Sequence, residues 1–146
     1  MKRFRFTLEA LERVKKTSRM QQEALLAKSQ QMLDMLCEQM EGLRDSFEAH
    51  NHQFNRLMDR GLSGMKICAY NNYSTYLRES MEQLARKIES VTRERDGYRQ
   101  ALIQLMKEIQ TLDKLREQQY RQYLLEVKRE EEKSIGDFVS YQVTSA

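Results

Sequence analysis

The side chains here that could hold a metal, move a proton or act as a nucleophile are few, and their spacing suits none of those tasks. The run "HNH" sets His50 and His52 two residues apart. On a helix that spacing points them to different faces, where one metal ion cannot collect both. The surrounding apolar pattern puts His50 in a packed seam and His52 outside it. Cys37 and Cys68 are the two cysteines; they lack the paired spacing of a zinc site, are too few for a disulfide framework, and read as reduced thiols. If the chain reverses near residue 64, Cys37 stands about 27 residues back, roughly 40 Å along a helix, out of disulfide reach of Cys68. No glycine-rich phosphate loop and no nucleophile beside a base is present. The expectation is a chain that is not an enzyme, with no catalytic residues, no cofactor and no metal.

What remains is a sequence built to form long helices. Of the 146 residues, 32% are charged and 8% aromatic, with no Trp and no Pro. Leu, Met and isolated aromatics are scattered among Glu, Gln, Lys and Arg, the mixture of helices that bury one narrow stripe. The 25 basic and 22 acidic residues are interspersed and leave a net charge of +3, which gives no support for nucleic acid as a partner. No window reaches the roughly 18 to 20 apolar residues needed to cross a bilayer. The opening "MKRFRF" has basic residues but no apolar stretch after them. These features predict a soluble, cytosolic protein.

Two apolar stripes carry the fold reading. In the first half, Leu11, Val14, Ser18, Gln21 and Leu25 fit one heptad frame, and Leu26, Leu33, Leu36, Met40, Leu43, Phe47, Phe54 and Leu57 fit a second, displaced by one residue. A phase slip of this kind alters the local supercoil without ending the helix. In the second half, Leu77, Leu84, Val91, Tyr98, Leu105 and Leu112 recur every seven residues, with Met81, Ile88, Leu102 and Ile109 in the complementary position. Arg95 interrupts at a core-type position, where its long stem can snorkel. Beyond Leu112 the apolar positions shift to Leu115, Tyr120, Tyr123, Leu124 and Val127, and period and helix formers then fade.

Between the stripes lies "GLSGMKICAYNNYSTYL", residues 61–77, with Gly61 and Gly64 placed to end one helix and begin a reversal. The predicted fold is all-α, a long two-helix antiparallel coiled-coil hairpin forming a single domain over 1–146. Its parts are a helix over about 7–60, a turn at about 61–68, a helix over about 69–132 and a flexible tail at 133–146. Residue i should then face roughly residue 130 minus i, in a rod on the order of 80 to 90 Å long. A parallel homodimer with continuous helices through 61–70 is opposed by the two glycines and would extend to roughly 180 Å or more.

Pairs four apart such as Glu9 with Arg13, Glu12 with Lys16, Glu82 with Arg86 and Glu89 with Arg93 read as solvated helix faces. The nine methionines read as filling of an irregular seam. The tyrosines near the turn are different. The second stripe, extended backwards, puts Tyr70 and Leu77 in the seam, Tyr73 at its rim and Tyr76 facing outward, where an aromatic is useful at a protein interface. Phe4 falls in the seam of the first frame and Phe6 outside it.

Several stretches together resemble the flagellar FliJ family and the related stalk proteins of type III injectisomes. "KRFRFTLEALERVKK" is similar to that family's basic, phenylalanine-containing opening; "GLSG" followed by "YSTYLRESMEQLARKI" is similar to its glycine turn and "YxxYLxxL" helix start; "LDKLREQQYRQYLLEVKREEEKSIGDF" is similar to its closing run. The three occur in order over nearly the whole chain. Ser80 stands where the family pattern favours Leu, and "IGDF", Ile135 to Phe138, where an acidic "LDE" is common.

The resemblance implies a non-enzymatic component of the flagellar type III protein-export apparatus, cytoplasmic and peripheral at the inner face of the cell membrane through its partners. It implies that the paired terminal end enters the central pore of the export ATPase hexamer and promotes its assembly and activity, while another surface contacts the export gate membrane protein and export chaperones. Carried onto this sequence, the ATPase-facing residues are Phe4, Phe6, Leu8, Leu11, Tyr123, Val127, Ile135 and Asp137. The gate-facing residues are Tyr73, Tyr76 and Leu77. The alternatives are a general coiled-coil scaffold or chaperone that binds secreted subunits through a Met-rich face, and the injectisome counterpart of the stalk.

Overall fold

The computed structural model describes residues 2–145; Met1 and Ala146 lie outside the described residues. It consists of two helices, α1 (Glu9–Arg60, 52 residues) and α2 (Gly64–Ser145, 82 residues), forming an all-α hairpin with no strand among the described residues. Contacts between two long helices are local along their length, and they group into two compact units. One joins Met1–Gln21 to Leu102–Ala146 and the other is Gln22–Ala101.

The reversal is tighter than the sequence predicts, spanning residues 61–63 instead of 61–68. Gly61 sits at φ +86°, just past the last helical residue, and its N–H bonds Met58 O at 3.1 Å. That is the left-handed position where a residue without Cβ ends a helix cheaply. Ser63 then caps α2: its Oγ accepts from the Lys66 N–H at 3.4 Å and its carbonyl from Ile67 N at 3.1 Å. With that cap in place Gly64 is already helical and takes no part in the turn. In the unit Gln22–Ala101 the pairs Gln30–Arg95, Phe47–Arg78 and Phe54–Tyr70 centre the pairing on about residue 62, not 65.

In that unit the second frame of α1 is the packed one. Leu33, Leu36 and Met40 are buried and Leu26, Leu43, Phe47, Phe54 and Leu57 half-buried; they meet the α2 stripe of Leu77, Met81, Leu84, Ile88, Val91 and Tyr98. Arg95 is half-buried in the seam with its guanidinium on Gln30 and Asp96.

The first frame is not the packed seam. Its apolar members Leu11, Val14 and Leu25 are 42%, 61% and 39% exposed and only Ser18 is half-buried, whereas in the second frame run backwards Glu12 is buried and Lys15, Arg19 and Gln22 are half-buried. The second frame therefore runs back along α1 without a slip. An uninterrupted three-and-four spacing keeps one helix face toward its neighbour, and a slip would require local unwinding. Of the polar residues this brings inward, Glu12 and Lys15 are held by the ion pairs described below.

At the other end α2 remains helical to Ser145, where a flexible tail was expected from 133. Strong helix formers in "EVKREEEK" carry the ladder forward. Thr144 Oγ donates to Ser140 O at 2.9 Å, and Ser145 Oγ to Tyr141 O. Every described residue from Lys128 onward is exposed.

The methionines also depart from the expected seam role. Met40 and Met81 lie in it, while Met20, Met32, Met35, Met58, Met65 and Met106 are exposed.

Candidate functional site

Residues 2–8 precede α1 as a non-helical segment that docks on α2, inside the unit joining Met1–Gln21 to Leu102–Ala146. The Thr7 N–H donates to Gln119 Oε1 at 3.3 Å, and Gln119 Nε2 returns a bond to Thr7 Oγ1 at 2.9 Å. Phe4 lies edge-on to Tyr120 with ring centroids 5.1 Å apart, and is 5.5 Å from Tyr123. Phe6 is 5% exposed beneath the Arg116 guanidinium, 6.0 Å from its ring centre, and its carbonyl accepts from Glu9 N at 3.2 Å to open α1. Phe6 was expected outside the seam. It is buried because residues 2–6 are not helical, so a helical frame cannot be extrapolated through them.

Below this aromatic clamp sits a charged cluster. Glu12 is buried, and its Oε1 receives Lys16 Nζ at 2.8 Å and Arg116 Nη1 at 3.2 Å. The Lys16 hydrogen bond above all, with the attraction of both cations, holds its carboxyl below the usual carboxylate value against the opposing effect of burial. Oε2 has no partner among the described residues. One turn further, Lys15 Nζ stands 2.8 Å from Glu108, whose carboxyl is lowered chiefly by that bond and then by Gln104. Glu12 and Lys16 thus form no solvated pair, while Glu9–Arg13 and Glu89–Arg93 do lie in solvent.

The expected ATPase-facing residues separate into three groups. Phe4, Phe6 and Tyr123 meet in the clamp, with Val127 half-buried on the same helix. Leu8, 37% exposed, ends the segment that precedes α1, and Leu11, 42% exposed, lies on the first turn of α1. Ile135 and Asp137 sit beyond, on the fully exposed part of α2. Sequence reasoning missed Arg116, Gln119 and the burial of Glu12; the only available sign was that Arg116 and Gln119 continue the seven- and three-residue steps from Ile109 and Leu112. Around the clamp Lys2, Arg3 and Arg5 are exposed. The first 21 residues hold Lys2, Arg3, Arg5, Arg13, Lys15, Lys16 and Arg19 against Glu9 and Glu12, so this segment is far more basic than the chain as a whole.

In the other unit the expected gate-facing residues form part of an aromatic cluster. His50 stacks on Tyr70 at 5.0 Å and meets Tyr73 edge-on at 4.7 Å. Its Nε2 is 2.9 Å from Tyr70 O; a carbonyl can only accept, so Nε2 carries the proton in this contact. Phe54 closes against Tyr70 at 5.5 Å, and Tyr73 lies 6.2 Å from Tyr76. Tyr73 and Tyr76 are 46% and 62% exposed, while Leu77 is 2% exposed. Leu77 therefore anchors the helix that presents the two tyrosines. His52, Cys37 and Cys68 are exposed, and both thiols are free. Among the described residues no group of His, Cys, Asp and Glu is arranged to hold a metal, and no helix is long and apolar enough to cross a membrane.

A family model described as "Flagellar FliJ protein" matches residues 4–146, from the clamp to the last residue of the sequence. The chain belongs to the FliJ family. Membership makes this FliJ-family chain a component of the flagellar export apparatus, of a structural and regulatory kind. Comparison with curated proteins and with solved structures returned no match.

Proposed function

We propose that this FliJ-family chain regulates the export ATPase by inserting the end that carries its docked opening segment into the central pore of the ATPase hexamer, promoting assembly and ATP turnover. The observation that carries the reading is the clamp. Phe4 and Phe6 fasten the opening segment to α2 at Tyr120, Tyr123 and Arg116, which leaves Lys2, Arg3 and Arg5 outward on a preorganised basic surface. Fixing that surface before binding removes ordering cost from the encounter, and its charge favours an acidic ring lining.

Tyr73 and Tyr76, propped by His50 and Leu77, are the surface for the export gate membrane protein or for export chaperones; large aromatics at a surface are the side chains that anchor protein interfaces. The chain works in the cytoplasm and reaches the membrane's inner face only through these partners.

ATP hydrolysis by the export ATPase of the same organism, measured as the chain is titrated in, tests the reading. The intact chain should stimulate, the Lys2→Glu/Arg3→Glu/Arg5→Glu chain should not, and Tyr76→Ala should stimulate normally. An intact chain that leaves turnover unchanged rules the reading out. A second reading, a chaperone for secreted subunits, is favoured by the exposure of Met20, Met32, Met35 and Met106, since exposed thioethers suit adaptable binding. Retention of purified secreted subunits without ATPase stimulation would select it.

A further inference from the structure

The last part of α2 carries a pattern that its helical conformation cannot use. From Val139 the sequence reads Val-Ser-Tyr-Gln-Val-Thr, apolar and polar in strict alternation. On a helix Val139 and Val143 share a face and Tyr141 points nearly opposite, so no single face gathers the three. In an extended chain all three fall on one side, with Ser140, Gln142 and Thr144 on the other. The residue types agree with the extended form: Val, Tyr and Thr are strand formers, and Gly136 weakens the helix just upstream. Local preference and observed conformation conflict here, and such conflicts are expected where a segment serves function more than the fold.

Nothing in the chain resolves the conflict. Phe138, Val139, Tyr141 and Val143 are 60%, 51%, 71% and 72% exposed, and the segment is held as helix by its own ladder and by hydroxyl bonds such as Thr144 Oγ to Ser140 O. We infer that residues 139–144 leave the helix and add as an extended strand to the open edge of a β-sheet in another protein. Main-chain hydrogen bonds would supply the attachment, and sockets for Val139, Tyr141 and Val143 the selectivity.

The occupant has to bring the sheet. This chain has no strand among its described residues to lend an edge, and a ribbon of two such segments from two copies would be marginal in water. Residues 138–145 carry no charge, but Asp137 stands directly before them and "KREEEK" at 128–133 a few residues further back, the flanking charge that discourages identical segments from stacking on one another. The inference is independent of the ATPase reading, because it concerns only the exposed end of α2.

Single proline substitutions at each position from 139 to 144, made in the full-length chain in the organism that carries it, test this. Swimming rate and flagella per cell are measured, with chain abundance followed in parallel. A strand added at a sheet edge bonds through alternate residues only, so proline should reduce motility roughly tenfold or more at three positions of one parity and be tolerated at the other three. The triple change Val139→Thr/Tyr141→Thr/Val143→Thr keeps strand preference but removes the apolar side, and should also lose motility at normal chain abundance. Loss at all six positions would mean helical docking, and loss at none would mean that the segment binds nothing required; either result overturns the inference.

Discussion

Arg116 reaches across from α2 to place Nη1 3.2 Å from Oε1 of Glu12, a carboxylate that is only 3% exposed. The same guanidinium covers Phe6, so one side chain ties the charged cluster to the aromatic clamp. A buried carboxylate with one oxygen unpartnered is a weak source of stability, and that has consequences.

Glu12 has a lowered pKa in the folded chain, so it binds protons more weakly there than in the unfolded chain. Its contribution to stability is present above the unfolded value of about 4.3 and is lost as pH falls through the lower folded value. The thermal midpoint of Glu12→Gln should therefore lie below that of the parent at neutral pH, and the gap should close on acidification. Glu108, also lowered, leaves a residual acid dependence in the variant. A gap that widens on acidification would contradict this account.

Glu12→Leu should behave in the opposite way. The position belongs to the packed frame, and the cations released, Lys16 and Arg116, are roughly half exposed and can be solvated. Replacing a buried ionic group by a well-packed apolar one is often neutral or stabilising, by about 1–4 kcal/mol. Chemical denaturation should find Glu12→Leu at least as stable as the parent; a clear loss would show that the ion pairs contribute more than packing could.

Removing Phe6 should free the opening segment without unfolding the hairpin. The side chain is 5% exposed, and truncating a buried Phe costs about 3–5 kcal/mol where the surroundings cannot collapse. That exceeds what Phe4, half-buried against Tyr120 and Tyr123, can hold alone. Limited trypsin digestion should cut after Arg3 and Arg5 much faster in Phe6→Ala than in the parent, with the main thermal transition retained. Equal cleavage rates would mean that the segment is already loose.

The helices, the reversal and the α2 stripe were legible in the sequence, because Leu77 through Leu112 repeat every seven residues and Gly61 follows a long polar helix. The docked opening segment was not, since it is built from contacts distant in sequence: Phe6 to Arg116 and Thr7 to Gln119. The α1 frame was misread for a related reason. Leu11 and Val14 look like core, but which face packs is decided by continuity with Leu33 and Leu36 and by the partners that α2 offers Glu12. Hydrophobicity alone could not rank the two frames.

The two glycines of the reversal should respond differently to alanine. Gly61 holds φ +86°, where a Cβ is strained even though space is open; a left-handed conformation costs an L-residue about 1–2 kcal/mol. Gly64 is helical with nothing within 4 Å of an added Cβ, so alanine there should gain about 0.4–1 kcal/mol by restricting the unfolded chain. Denaturant midpoints should move in opposite directions for Gly61→Ala and Gly64→Ala. A destabilised Gly64→Ala would restore it to the turn.

The choice of frame in α1 is open to the same kind of test. Leu36, 2% exposed, lies at the centre of the packed frame, and Leu36→Ala should cost about 2–5 kcal/mol. Val14 was an apolar position of the frame that turned out to face solvent; at 61% exposure Val14→Ala should change stability by no more than about 0.5 kcal/mol. If Val14 instead behaved as a core residue, the slip would be real and Glu12 would have to leave the seam. Arg116 would then lose the carboxylate that holds it over Phe6. The clamp should in that case be as open to trypsin in the parent chain as in Phe6→Ala, so the two measurements check each other.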